Sequence, residues 1–302
     1  MDFIKYCPIC TGTYLESYRV CISSFLHERM FNHNSVQDCQ FVRCERCDFY
    51  FFNIRPDESE MKRLYVGYRG DEYQKQRQKN EPGYTSQLNA MIGNNPVEIH
   101  NRVTALQEVL KRNNIPDSIS VLDYGGNDGK LIPESISGKK YCFDLSDNIT
   151  IEEVIKLDRD ELALHNYDLI MLSHVLEHVS YPQEVMREVT SVMREGTHLY
   201  VELPYELENV KLMFRRNRTL VGVLKGFFKR NRPKWLFPSV SFGLGPGFHE
   251  HINYFNTASL KKLIYVGGLR CVDMGVKKVN LGWANVDILY CLAIKPVKKS
   301  NE

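Results

Sequence analysis

The stretch Val121-Leu122-Asp123-Tyr124-Gly125-Gly126-Asn127-Asp128-Gly129 allows few folds. Apolar residues run up to an acid, and glycines crowd the positions after it. Such a run reads as a buried strand that ends in a tight turn. Without side chains in the way, the turn lets backbone approach a small polar ligand. A helix start is expected beyond it. A second apolar run, Tyr141-Cys142-Phe143, leads into Asp144, 21 residues after Asp123. A carboxylate at that distance is placed to accept the two hydroxyls of a ribose. The segment therefore reads as a nucleoside-binding unit.

Further strands are expected over 118–124, 140–145, 167–173, 197–203, 270–279 and 286–294, with a poorly marked one near 154–156. Helical spacing covers 96–111 and 257–267. Strands alternating with helices predict an α/β fold with a doubly wound, mostly parallel sheet, its ligand beyond the carboxyl ends of the strands. The 302 residues suffice for two domains, or for one large domain with additions. Apolar and charged shares of 43% and 25% fit a soluble globular chain. A net charge of +2 is too small to imply a nucleic-acid partner. No apolar run approaches a membrane span, and the first residues lack a secretory pattern, so a cytoplasmic location is expected.

Six of the nine cysteines precede residue 48. Cys7-Pro8-Ile9-Cys10 and Cys44-Glu45-Arg46-Cys47 are two CxxC knuckles, and together they can close a tetrahedral zinc site. The other reading is reduced buried thiols or a redox pair. Cys21 and Cys39 read as core or surface thiols, and Cys142, Cys271 and Cys291 as core. After Pro56, Asp57 and the acids behind it open a helix. Tyr65, Tyr68, Tyr73 and Tyr84 then recur among Arg69, Lys75, Arg77 and Lys79. That pattern suits a solvated helix or a cover over a polar substrate, and spacing does not choose.

The glycine turn departs from the GxGxxG of nicotinamide and flavin sites. It resembles motif I of the class I S-adenosylmethionine-dependent methyltransferases, acid-x-Gly-x-Gly-x-Gly. Asp123, Gly125 and Gly129 match, while Asn127 replaces the middle glycine; asparagine tolerates a positive φ. The run Tyr167 to Ser173 followed by His174-Val175-Leu176-Glu177-His178 resembles the fourth-strand motif of the same enzymes. Residues 193–204 resemble their fifth strand. The resemblance covers about residues 100–204. It implies a Rossmann-like, seven-stranded sheet and S-adenosylmethionine as cofactor. Asp123, Tyr124, Gly125, Gly126 and Gly129 would then shape the pocket, Asp144 would take the ribose, and Ser173 and His174 would lie near the methionine end. His178 reads as a helix-start residue beneath the cofactor, and Glu177 as a structural or helix-surface acid.

Gly247-Phe248-His249-Glu250-His251-Ile252-Asn253-Tyr254-Phe255 places two histidines and an acid side by side, which is costly to bury without purpose. A Glu-His pair can act as a general base; it can also be an ion pair holding a loop. With the four-cysteine module, the Glu-His-x-x-Tyr-Phe pattern resembles the sugar C-methyltransferase family and its relatives in bacterial surface-polysaccharide clusters. The resemblance puts Glu250 and His251 at the sugar, and adds a tyrosine after the zinc module, with Tyr68 and Tyr73 as candidates. It implies C- or O-methylation of a nucleotide-linked or glycan-linked sugar.

Nine basic residues fall between Lys211 and Lys234, with no acid between Glu208 and Glu250. This stretch could hold a substrate diphosphate, lie peripherally on an anionic inner-membrane face, or be a solvated helix pair. The rival functions are a nucleic-acid or protein methyltransferase guided by the zinc module, and a non-catalytic cofactor-binding module. The organisation expected is a zinc-binding module over 1–56, a helical connection or lid over 57–95, and a catalytic domain over 96–302 with a basic insertion at about 205–249.

Overall fold

A computed structural model describes residues 2–13, 15–20, 22–31, 39–146, 148–206, 250–282 and 284–297. Cys21, His249 and the basic stretch 211–234 lie outside the described residues.

The N-terminal part carries β1 (Asp2–Phe3), β2 (Leu15–Arg19), α1 (Ser24–Arg29), β3 (Gln40–Cys44), β4 (Tyr50–Phe52) and β5 (Ile54–Arg55). Three helices follow: α2 (Glu58–Tyr65), α3 (Asp71–Asn80) and α4 (Ser86–Met91). Asp57 starts α2 through a capping box with Glu60, each side chain accepting from the other's backbone N–H. Helix α5 (Pro96–Arg112) is capped by Asn95, begins with proline, and buries Leu106, Val109 and Leu110.

The remaining elements are β6 (Val121–Tyr124), β7 (Lys140–Phe143), β8 (Val154–Leu157), β9 (Leu169–Ser173), α6 (Pro182–Val192), β10 (His198–Pro204), β11 (Asn253–Tyr254), α7 (Thr257–Val266), β12 (Arg270–Asn280) and β13 (Asn285–Ile294). Seven of these strands form one sheet in the order β12-β13-β10-β9-β6-β7-β8. The pairs from β10 through β8 are parallel, and β13 runs antiparallel to both of its neighbours. β6 and β9 are buried at every residue, as strands covered on both faces must be. The strand order turns back at β6, which sits between β7 and β9. That makes its carboxyl end the place for a ligand.

The helix expected beyond the glycine turn is absent: residues 125–139 make turns until β7 begins. Pro133 lies in the middle of the short connection and disfavours helical backbone at Ile132. Ile132 and Ile136 still reach the core. Gly138 passes so close to the chain at Ile119 that a Cβ there would lie 2.1 Å from the Ile119 carbonyl oxygen.

The N-terminal part does not close on itself. β11, from the far end of the chain, completes its sheet in the order β11-β4-β3-β2. Arg55 is buried and donates to the Asn253 side chain at 2.7 Å. Asn256, which caps α7, also donates to the Asp48 carbonyl. One apolar cluster joins Ile9, Phe49 and Phe51 to Leu176, Phe255 and Leu260.

Candidate functional site

The four knuckle thiols converge. Cys7, Cys10, Cys44 and Cys47 are buried, with sulfurs 3.6 Å apart for Cys7–Cys47 and 3.5 Å for Cys10–Cys44. That is far beyond a disulfide bond and close to the roughly 3.8 Å edge of a tetrahedron with 2.3 Å metal–sulfur bonds. The four could hold one tetrahedral ion.

At the carboxyl ends of the sheet, the glycine turn and Asp144 meet as expected. The Asn127 N–H donates to Asp144 Oδ2 at 2.9 Å, and the Ser146 N–H to Oδ1 at 2.7 Å. Asn127 adopts φ 57°, so it does the work of the glycine it replaces. Asp123 is fully buried, and neither of its carboxylate oxygens has a hydrogen-bond partner among the described residues. Burial pushes its pKa up to about 7, and the Arg102 charge only partly counters this. Gly126 lies against it: a Cβ at 126 would stand 2.2 Å from Asp123 Cγ. Gly126→Ala should therefore cost about 1–3 kcal/mol of stability, read by urea denaturation. Tyr124 contributes main chain alone, because its hydroxyl donates to Glu188 of α6 at 2.7 Å.

Beyond β9, His174 has φ 58°. A left-handed non-glycine residue at a strand end is a strained position of the kind that clusters at functional sites. Its ring lies 3.5 Å from Glu202 of β10 and 3.5 Å from Glu177. Glu202 is buried, accepts from Arg102 Nε at 2.7 Å and from the Tyr200 hydroxyl at 3.1 Å, and shares a recess with Ser173. Glu177 does not lie on a helix surface, one of the two places expected for it. Residues 176–178 form a turn, helix α6 starts only at Pro182, and Glu177 is 1% exposed with neither oxygen hydrogen-bonded among the described residues. Burial pushes its pKa up to about 7. His178 likewise sits in the turn rather than at a helix start, and burial holds it down at about 3, hence neutral.

The loop before β11 lies beside these residues. Glu250 is gripped by the helical segment: Arg77 Nη1 donates to Oε1 at 2.8 Å, Tyr73 donates to the same oxygen, and Tyr68 donates to Oε2 at 3.4 Å. Tyr73 is fully buried and Tyr84 nearly so, and Arg77 stacks 3.9 Å above the Tyr84 ring. Both candidate tyrosines thus reach the acid that the sequence placed at the acceptor. His251 Nδ1 lies 3.1 Å from Glu206. Burial opposes its charged form, but the Glu206 hydrogen bond and the surrounding carboxylates win and push it up to about 9. This favours the charged imidazolium at neutral pH.

A family model described as a methyltransferase domain matches residues 99–273, more than half of the chain. The chain belongs to this methyltransferase-domain family. It is an S-adenosylmethionine-dependent enzyme. No curated protein matches it. Among solved structures, it is similar to an S-adenosylmethionine-dependent methyltransferase of Methanosarcina mazei, at 15% identity over 63% of this chain and 98% of that one, TM-score 0.43. A second is the 1,6-didemethyltoxoflavin-N1-methyltransferase of Burkholderia thailandensis, at 12% identity over 87% and 97%, TM-score 0.46. A third is human N-acetylserotonin methyltransferase, at 17% identity over 80% and 60%, TM-score 0.42. Likeness at this level carries no argument about substrate.

The methyltransferase's own residues fit the cofactor. The unpartnered Asp123 carboxylate suits a cationic group, and Asp144 at the end of β7 suits a pair of hydroxyls. Residues missed in the sequence are Arg102, Glu202 and Glu206; Arg77 was singled out there only as one of the basic residues of the tyrosine segment. Arg102 alone carried a signal, being a charge on the apolar face of the α5 pattern.

Proposed function

We propose that this methyltransferase acts on a hydroxyl-rich acceptor, a nucleotide-linked or glycan-linked sugar, and that the four cysteines hold a structural zinc ion. The observation that carries the acceptor assignment is the convergence of Tyr68, Tyr73 and Arg77 on Glu250, beside His251. Two phenols, a guanidinium, a carboxylate and an imidazole match the hydroxyls of a sugar better than an apolar acceptor. When bound, S-adenosylmethionine supplies a methyl group already activated by its sulfonium, so the chain's contribution is largely placement. Asp144 would hold the ribose hydroxyls, and the Asp123 carboxylate would offer a negative charge to the cofactor's positive end. Glu250 accepts the proton from the acceptor, and the His251 imidazolium faces the anion that develops there. The nine basic residues of the stretch 211–234 carry charge that suits an acceptor's phosphates. Cysteines kept reduced for a metal site agree with a cytoplasmic enzyme, and no helix among the described residues is long and apolar enough to cross a membrane.

The test is transfer from labelled cofactor to a panel of nucleotide sugars. Glu250→Gln is expected to lower kcat about 10²- to 10⁴-fold with a smaller change in KM. His251→Ala should also slow transfer. Transfer at the wild-type rate in both variants would remove Glu250 and His251 from the acceptor site.

A further inference from the structure

Three residues beside the acceptor site are arranged as metal ligands usually are. One ligand atom each from Glu177, His178 and His251 lies within 4.8 Å of the others. In both histidines the Nδ1 side is taken: His178 Nδ1 is 3.1 Å from the Glu250 carbonyl, and His251 Nδ1 is 3.1 Å from the Glu206 carboxylate. Each contact fixes the ring orientation and leaves Nε2 for the cluster. A carbonyl or carboxylate behind each imidazole is how proteins commonly orient a ligating histidine and set its tautomer. His178 Nε2 stands 3.9 Å from Glu177 Oε1. The Glu177 carboxylate is the independent observation. It is 1% exposed and neither oxygen is hydrogen-bonded among the described residues; its polar neighbours are the His174 and His178 rings, at 3.5 and 3.9 Å, so the strong partner that a buried carboxylate requires is missing.

We propose that Glu177, His178 and His251 bind a divalent first-row transition cation, separate from the ion of the four cysteines. Two imidazole nitrogens and one carboxylate oxygen favour zinc, iron, cobalt or manganese over calcium or magnesium, which take oxygen ligands. Bonds of about 2.1 Å to a shared ion require the three ligand atoms to close by about 1 Å, within reach of side-chain rotation. The His251 side chain is 31% exposed and that of His178 20%, so the site opens on their side, and three protein ligands leave positions for an oxygen of the acceptor.

Cobalt(II) is the probe, added to the purified full chain with neither methyl donor nor acceptor present, so the outcome does not depend on the acceptor assignment. A four-cysteine site shows thiolate-to-cobalt charge transfer. The proposed site shows ligand-field bands without it, and proton NMR shows paramagnetically shifted, exchangeable imidazole N–H signals from two histidines. The expected result is both signatures in wild type. Glu206→Gln should weaken the nitrogen–oxygen site about 10- to 100-fold. Glu177→Gln, which only neutralises a buried acid, should abolish its signature where wild type is saturated. Wild type showing the thiolate signature alone, or no cobalt spectrum, overturns the proposal. So does a Glu177→Gln protein that binds cobalt at this site as tightly as wild type.

Discussion

Cys7→Ser and Cys44→Ser proteins are expected to lose zinc and to melt well below the wild type. Each substitution replaces a thiolate with a hydroxyl that binds zinc weakly, and each opens a site whose four sulfurs are held at tetrahedral spacing. Structural zinc in small modules contributes about 10–16 kcal/mol of binding free energy at neutral pH. Here the strand pairing of β11 with β4 and the shared apolar cluster also hold the module, so only part of that figure should appear. A loss of about 4 kcal/mol corresponds to a fall in Tm of roughly 8–16 °C in a chain of this size. The effect should spread, because the β3–β4 hairpin that carries Cys44 and Cys47 also anchors the strand just after Glu250 and His251. Zinc content by atomic spectroscopy and a thermal melt check it. Full zinc content in both variants would rule the site out.

Asp123→Asn is expected to stabilise the cofactor-free protein while weakening its cofactor. The wild-type carboxylate is buried without a donor and titrates at about 7, against an ordinary 3.8. The folded state therefore holds a proton that the unfolded chain has released, throughout the window between those values. Wild-type stability consequently falls as pH rises from about 4 to about 7 and levels off above. That difference is worth up to roughly 4 kcal/mol. Asparagine cannot ionise, but its amide is also unpaired, which costs about 1–3 kcal/mol. The net gain should be about 1–3 kcal/mol above pH 7 and should give way to a loss of about 1–3 kcal/mol near pH 4. Urea titrations across that range measure it. A gain that grows toward acid pH would contradict the assignment. With the charge gone, S-adenosylmethionine should bind about 10- to 100-fold more weakly by calorimetry, the loss of one charge-assisted contact.

Much of the sheet was legible because its strands are continuous apolar runs, and a strand buried on both faces cannot be written otherwise. β6, β9 and β10 fall where the runs predict them, and even the faint run near 154–156 is a strand. Helix α5 was legible from spacing, with asparagine and proline at its start. The helix after the glycine turn was misread because a strand–turn pattern carries a habit of continuation that Pro133 breaks. Glu177 was misread for a related reason: a charged residue between apolar ones looks like a helix surface until the chain is seen to turn there.

Local sequence by itself determined the strands, the glycine turn, the knuckle thiols and the two acids at strand ends, because each depends on neighbours a few positions away. It also singled out Glu250 and His251, since such a charged run needs partners. Tertiary structure alone decided what those partners are. Tyr68, Tyr73 and Arg77 lie more than 170 positions from Glu250, and Glu206 is 45 from His251. Contacts over such separations leave no period in the chain. They are set by the completion of the N-terminal sheet with β11, which brings the two ends of the protein together and carries the loop with it.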